Sequence, residues 1–396
     1  MLIVVITVIP KWGISFWKTI DSNSINTLIG VLIAFAILTS SLRKLFKYPG
    51  AQSSAYILPY TAIIYSMMLV IYLLIRIEYS VQGLLLGVIV NLAWCYVGYF
   101  LGHRYRKQRF ALIPVGEALE FQDVHGTEFV FLKKPDLEKQ RFDGVVADLR
   151  SRDLSPDWEK FLARCTLSRI PVYHTKQIIE SLTGRVKIDH LSENEFGTLL
   201  PSRFYERLKR LIDFVAAIIL IPILTPVFIA TSILIRLESR GSAFFLQRRM
   251  GFRGRPFTVI KFRTMSLDIK GKGFTEGEDD PRITKLGKLL RKYRIDELPQ
   301  VFNVLKGEMS FIGPRPESME LSDWYEKDVP FFAYRHVVRP GISGWAQVEQ
   351  GYAAEVDGMK LKLEYDFYYI QRFSLWLDIL IFFKTLKTIF TGFGSR

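Results

Sequence analysis

Two adjacent carboxylates, Asp296 and Glu297, lie in the stretch IDELPQ, and an arginine, Arg315, sits between Pro314 and Pro316 downstream. Neighbouring helix positions do not face each other, so the acids are not arranged to share a proton and are free to divide two tasks. Asp296 stands before an amphipathic run, with Leu298, Val301, Phe302 and Leu305 at helical spacing and Gly307 as its stop. Two readings are open. A capping aspartate would stabilise that helix by about 1 kcal/mol. Alternatively, the positive helix end keeps the carboxylate ionised and admits anions. A carboxylate can attack phosphorus once a divalent cation and arginines offset the phosphate charge. Arg315 and Arg339, each beside a proline, suit this second reading, because a planar guanidinium matches phosphate oxygens.

Other elements must position these groups. Phe257–Phe262 reads as a strand with Lys261, Arg263 and Thr264 at its end, a place where phosphate can bind but where basic surface loops are also common. Asp279, Asp280 and Arg282 precede a helix with Thr284 as its predicted N-cap and Leu286, Leu289, Leu290 and Tyr293 as its apolar face. Residues 336–351 read as a glycine-rich wall around Trp345. The tyrosines of 364–369 are expected to pack in a core. Ser374–Phe390 is expected to be an amphipathic helix lying in a membrane interface.

The whole chain has 396 residues, of which 49% are hydrophobic, and a net charge of +14. The apolar residues are gathered in blocks flanked by bases, a pattern that fits a membrane with anionic headgroups and not nucleic acid. Cys95 and Cys165 lie apart, which excludes a disulfide framework, and His174 and His190 are isolated, so no histidine metal site is expected. Segments near 28–42, 56–75 and 81–101 read as membrane helices, with a weaker one within 1–18. The basic residues at 43–47 and 103–109 place both flanks in the cytoplasm. Asn91 is expected to bond a neighbouring helix. Between 110 and 200, short apolar runs at 110–115, 128–132, 144–149 and 170–173 alternate with helical stretches, which predicts a small α/β domain with a largely parallel sheet. No glycine fingerprint follows its first strand, so dinucleotide binding is not supported.

Leu211–Leu237 is long enough to span a bilayer, carries Asp213 near its start and Pro222 and Pro226 near its middle, and is basic on both flanks. Hydropathy alone fits a proline-kinked span. Bases at both ends favour a helix that enters, bends at the prolines and returns.

In order along the chain, KRLID at 209–213, the TP step at 225–226, KFRTM at 261–265, DPRIT at 280–284, IDELPQ at 295–300, FNVLKGEMS at 302–310, GPRP at 313–316, RPGISGWAQ at 339–347 and YDFYY at 365–369 resemble the bacterial polyprenyl-phosphate phosphoglycosyl transferases, or initiating sugar transferases. The resemblance covers Arg203 to the C-terminus, and less specifically the long-form members with N-terminal membrane helices. It implies transfer of a sugar-1-phosphate from a UDP-sugar to undecaprenyl phosphate, with release of UMP, on the cytoplasmic side of the bacterial inner membrane, initiating capsule, exopolysaccharide or O-antigen synthesis. It also implies that Asp296 is the nucleophile and a Mg²⁺ ligand, that Glu297 assists, and that Lys261, Arg263, Arg282, Arg315 and Arg339 serve phosphate. Lys209, Arg210, Asp213, Thr225 and Pro226 would support the re-entrant helix. Thr225 departs from the serine common before that proline.

The expected architecture is therefore a membrane α/β protein. A transmembrane bundle of three or four helices occupies 1–102, a Rossmann-like α/β domain 103–200, and a monotopic catalytic domain 201–396 with a re-entrant helix at about 205–237. Membrane lipids are partners, nucleic acid is not, and a homodimer is left open. A non-catalytic scaffold for polysaccharide assembly is the alternative from another class, and transfer of a sugar without its phosphate is the enzymatic one. Release of UMP, UDP or nothing separates the three.

Overall fold

A computed structural model describes residues 22–391 apart from 47, 50, 52–53, 106–107, 121–126, 139, 188–199, 267–279 and 351–355. The expected segment within 1–18, His190 and Asp279 lie outside the described residues. The chain forms two compact units, one ending at Thr183 and one beginning at Gly184.

In the first unit, helices α1 (Ser22–Leu45), α2 (Ile57–Ile75) and α3 (Val81–Tyr105) are long and apolar enough to cross a membrane. Side chains such as Leu74, Ile89 and Phe100 point outward from the bundle, while small residues let the inner faces approach. A Cβ at Gly30 would meet the Tyr72 hydroxyl at 1.9 Å. Buried Asn91 donates from Nδ2 to the Tyr65 hydroxyl at 2.6 Å, the interhelical bond expected of it. The helix α1 runs longer than its apolar stretch because Thr27 and Asn26 use their polar groups on the bundle: Ser80 N donates to the Thr27 hydroxyl at 2.8 Å.

The α/β part has four strands, β1 (Gln108–Leu112), β2 (Thr127–Phe131), β3 (Gly144–Ala147) and β4 (Val172–His174), all parallel in the order β2-β1-β3-β4. The central strand β3 is buried along its whole length, as a strand covered on both faces must be. Helix α4 (Pro156–Leu167) carries the crossover from β3 to β4, and α5 (Thr175–Thr183) follows β4.

The second unit opens with residues 184–186 strapped onto its own core. Trp345 Nε1 donates to the Gly184 carbonyl at 2.9 Å, and Val186 N to the Glu364 carbonyl at 3.1 Å. The helix α6 (Arg203–Glu238) follows, helical through both prolines. Thr225 donates its hydroxyl to the Ile221 carbonyl at 2.8 Å, a back-bond of the kind that bends helices. Next come the antiparallel hairpin β5 (Phe244–Met250) and β6 (Pro256–Phe262), and α7 (Lys285–Lys292). Thr284 caps α7 as expected, accepting from Gly287 N at 2.9 Å. A tight 3-10 turn over Ile295–Gln300 leads into α8 (Val301–Lys306), and Gly307 ends it at φ 87°. The sequence reads as one helix there. Pro299 cannot donate a backbone bond, and the first part winds as a 3-10 turn.

The remainder comprises β7 (Ser310–Ile312) paired in parallel with β8 (Gly341–Ser343), and helices α9 (Met319–Asp328), α10 (Trp345–Glu349), α11 (Val356–Gln371) and α12 (Leu375–Thr391). The core joins Ala217, Phe228 and Ile235 of α6 to Phe257, Val259, Phe262, Leu290, Val301 and Val304. Asn303, fully buried, ties β6 to α8: its Oδ1 accepts from Ile260 N at 3.1 Å and its Nδ2 donates to the Thr258 carbonyl at 2.7 Å. The helix α12, expected to lie in an interface, packs one face on protein. Leu377, Leu380 and Ile381 are fully buried in protein, Asp378 bonds buried side chains, and Lys384 pairs with Glu349 and lies 5.0 Å over Trp345. Leu375, Phe382 and Leu386, spaced along another face, stay exposed as a second apolar stripe. The tyrosines of α11 pack as expected, with Tyr368 and Tyr369 buried.

Candidate active site

Asp296 and Glu297 sit in the first turn of the 3-10 segment. The residue at its N-cap position is Arg294, held in the left-handed region at φ 54°, and no side chain caps it; Gln300 precedes α8, likewise without a capping bond. The capping role weighed for Asp296 is therefore not the one it plays. Glu297 is 6% exposed. Its Oε1 accepts from Lys261 Nζ at 3.0 Å and from Arg315 Nη2 at 2.6 Å, whereas Oε2 is buried without a hydrogen-bond partner. The strand β6 thus delivers Lys261, and the loop after β7 delivers Arg315, to one oxygen.

The two acids are driven apart in strength. Burial pushes the Asp296 carboxyl up to about 6, with the neighbouring Glu297 charge adding to the effect against Lys261, Arg315 and Arg291. Burial also acts on Glu297, but Arg315 and Lys261 outweigh it and hold that carboxyl well below the usual range. Burial lowers the Lys261 ammonium to about 8 despite its partner. Arg249, Arg291 and Arg294 also feel the pair's charge. Positive charge is in excess around the acids, as binding of a diphosphate requires.

The other sequence candidates take separate places. Arg263 donates to the carbonyls of Arg240 and Ser239 at 2.7 and 2.8 Å, closing the end of α6. Arg282 forks onto Asp280, at 2.9 Å to Oδ1 and 2.6 Å to Oδ2. Arg339 donates to Glu206 Oε1 at 3.1 Å and to the Gly307 carbonyl at 3.2 Å, and stacks 4.6 Å from the Phe252 ring centre. It lines a small cavity with Glu206, Lys209, Arg210 and Asp213, distinct from the contacts around Glu297. Lys209 and Tyr205 both donate to Asp378 Oδ2, at 2.5 and 2.6 Å, and Tyr369 donates to Oδ1 at 2.8 Å. Arg210 donates to the carbonyls of Val304 and Leu305 at 2.6 and 2.8 Å, capping α8, while Asp213 Oδ1 accepts from Phe311 N at 3.4 Å.

Sequence reasoning missed Arg249, Arg291, Arg294, Asn303 and a buried group behind Arg315 comprising Glu317, Arg335, Lys362 and Asp366. Arg335 is 2% exposed and Asp366 1%. The one available signal is an acid or base set among aromatics, as Asp366 is in YDFYY. His336 lies beside this group. Burial, helped by Arg335, lowers its imidazole to about 3 against an ordinary 6.5. The folded protein therefore binds that proton more weakly than the unfolded chain. The stabilisation is present above pH 6.5 and is lost as pH falls from there towards 3. At pH 5 the loss is about 2 kcal/mol. Thermal melts at pH 7.5 and 5 should show a smaller acid shift for His336→Gln than for the wild type, and equal shifts would count against this.

Among the described residues no cluster of three or more His, Cys, Asp or Glu side chains gathers here. Two adjacent carboxylates, one with a buried oxygen lacking a donor, nevertheless fit Mg²⁺, which takes one or two carboxylates and completes its shell with phosphate oxygens and water.

A profile of bacterial sugar transferases matches residues 204–392. The chain is 50% identical over 397 residues to a protein of Aeromonas hydrophila named UDP-N-acetylgalactosamine-undecaprenyl-phosphate N-acetylgalactosaminephosphotransferase, covering 100% of this chain and 94% of that one. The chain belongs to the bacterial sugar transferase family. A second relative of this sugar transferase, the UDP-glucose:undecaprenyl-phosphate glucose-1-phosphate transferase of Xanthomonas campestris pv. campestris, is 44% identical over 51% of this chain and 42% of its own length. The Escherichia coli K12 protein of the same name is 40% identical over 48% and 41%. The matched half of the sugar transferase holds the acid pair, Lys261 and Arg315, so the site described above lies within the family's shared region.

Proposed function

We propose that this sugar transferase moves a sugar-1-phosphate from a UDP-sugar to undecaprenyl phosphate, with Asp296 as nucleophile. Its carboxylate oxygen attacks the phosphorus that bears the sugar. The bond from that phosphorus to the bridging oxygen breaks, and UMP leaves with the electron pair. An oxygen of undecaprenyl phosphate then attacks the same phosphorus, the aspartyl bond breaks, and Asp296 is restored as a carboxylate. The observation that carries this reading is the division of labour in the pair. Glu297 is locked by Lys261 and Arg315, while Asp296 caps no helix and faces an excess of positive charge. Asp296 and Glu297 would hold Mg²⁺, which when bound neutralises phosphate charge. Arg315 keeps its own charge at any working pH, since Glu297 raises it above its ordinary range. The product begins capsule, exopolysaccharide or O-antigen assembly.

The helix α6 is re-entrant in this reading. Arg210 and Phe228 lie eighteen positions apart, roughly 27 Å along a straight helix. Yet Arg210 bonds carbonyls at the end of α8, and the Phe228 ring lies 5.7 Å from that of Phe302 in the same six-residue helix. In this reading a bend at Pro222 and Pro226 would serve both contacts, and Ile218, Ile219, Ile223 and Ile229 are exposed for lipid. Both ends then face the cytoplasm of the inner membrane. Cysteine probes placed at Arg203 and at Glu238 are expected to resist a membrane-impermeant maleimide in intact cells, and labelling of either would exclude the hairpin.

The reaction is tested by incubating the purified full-length protein with undecaprenyl phosphate, Mg²⁺ and a panel of UDP-sugars. UDP-N-acetylgalactosamine comes first, as the sugar in the Aeromonas relative's name. UMP release supports the proposal. UDP release would mean sugar transfer without phosphate, and no nucleotide release from any member would leave only the scaffold.

A further inference from the structure

We propose that Arg335 and Arg249 are positioning residues, which aim Arg315 at the substrate by holding the backbone of its loop from behind. This rests on the proposed reading in one respect, that Arg315 meets phosphate. The prolines on either side of Arg315 fix their own φ but leave the direction of each carbonyl to be set by something else. Three consecutive carbonyls of this loop are each held. Gly341 N donates to the Pro314 carbonyl at 2.9 Å. Arg335 Nη2 donates to the Arg315 carbonyl at 2.8 Å. Arg249 Nη1 donates to the Pro316 carbonyl. With these three carbonyls held, the Arg315 side chain reaches Glu297 at 2.6 Å.

The two arginines are themselves secured. Arg249 grips Gln247 Oε1 with Nε at 3.1 Å and Nη2 at 2.9 Å. Arg335 lies 2.8 Å from Asp366 Oδ2 and 3.4 Å from Glu317 Oε1, and Lys362 pairs with that same Glu317 oxygen. Apolar side chains of similar volume often hold a fold as well as a buried ion network does. What they cannot do is donate to a chosen carbonyl. The network therefore fits a requirement for direction: a catalytic group displaced by about 1 Å can cost about 10²-fold in rate.

A double-mutant cycle separates this role from a general effect on folding. The full-length chain, Arg335→Lys, Arg315→Lys and the double variant are compared in detergent, by UMP release and by equilibrium binding of UDP in the presence of Mg²⁺. Lysine keeps the charge opposite Asp366 and Glu317 but loses the fork that serves carbonyl and carboxylates together. Arg335→Lys is expected to lower kcat/KM about tenfold or more when Arg315 is present, and less than about twofold when Arg315 is already lysine, because a residue that acts through another adds nothing once its partner is replaced. An equal loss in both backgrounds, or no loss in the first, overturns the proposal. Should Arg335→Lys fail to accumulate as folded protein, Arg249→Lys goes through the same cycle with the same criterion. A wild-type chain that releases no UMP sinks the functional reading, whereas an active wild type with additive losses sinks the positioning role alone.

Discussion

Asp296→Asn is expected to lower UMP release by at least about 10³-fold, since removal of a covalent nucleophile leaves only binding and charge stabilisation. The substitution is nearly isosteric. Asp296 caps neither the 3-10 turn nor α8, so no structural bond of that kind is lost. The carboxyl is also raised by burial and by Glu297, so the amide removes a strained charge from the folded state. The variant should therefore reach the membrane in wild-type amount and melt at the same temperature or slightly above it. The check is a paired measurement of UMP release and thermal stability in detergent. Near-normal release by a well-folded Asp296→Asn protein would remove the nucleophile assignment. Loss of release together with loss of folding would send the explanation to structure.

Arg315→Met is expected to reduce kcat/KM by about 10²- to 10³-fold, the size of effect seen when one preorganised donor to developing charge is removed. Two consequences combine. The phosphate loses a guanidinium, and Glu297 loses the closer of two cations on its Oε1, leaving Lys261 at 3.0 Å. Lys261→Met leaves the arginine in place and should cost less. Steady-state kinetics over a range of UDP-sugar concentrations, with folded protein confirmed by melting, decides the order. A Lys261→Met loss equal to or larger than that of Arg315→Met would show that the bond to Glu297, and not contact with phosphate, sets the contribution of Arg315.

Local chemistry was legible in the sequence wherever neighbours in the chain are neighbours in space. The Thr284 cap, the Gly307 stop, the parallel sheet of the α/β part and the helix containing Pro222 and Pro226 follow from propensity, spacing and hydropathy. The meeting of Lys261 with Glu297 across 36 positions, and of Arg315 with Glu297 across 18, could be placed only through the family resemblance. Residues whose partners come from distant segments were not readable at all. Asn303 looks like one amide in a helix, and its bonds to the β6 backbone exist only because β6 returns beside α8. Arg335 looks like another base near a membrane, and its partners Glu317 and Asp366 come from two other segments. The tail helix was legible only in part. Its apolar residues read as one stripe, but they divide between two faces. Asp378, with three donors converging on it, marks the face that meets protein, and Leu375, Phe382 and Leu386 stay exposed on the other.

The bond from the Trp345 indole to the Gly184 carbonyl bears on where this gene could be cut. A shortened version starting at Arg203 would retain every catalytic side chain discussed above. It would also deprive an almost fully enclosed indole nitrogen of its acceptor, and the Glu364 carbonyl of the donor it has from outside its own helix. The minimal soluble-side fragment therefore starts upstream of Gly184, carrying with it a short piece that primary structure alone would assign to the preceding linker.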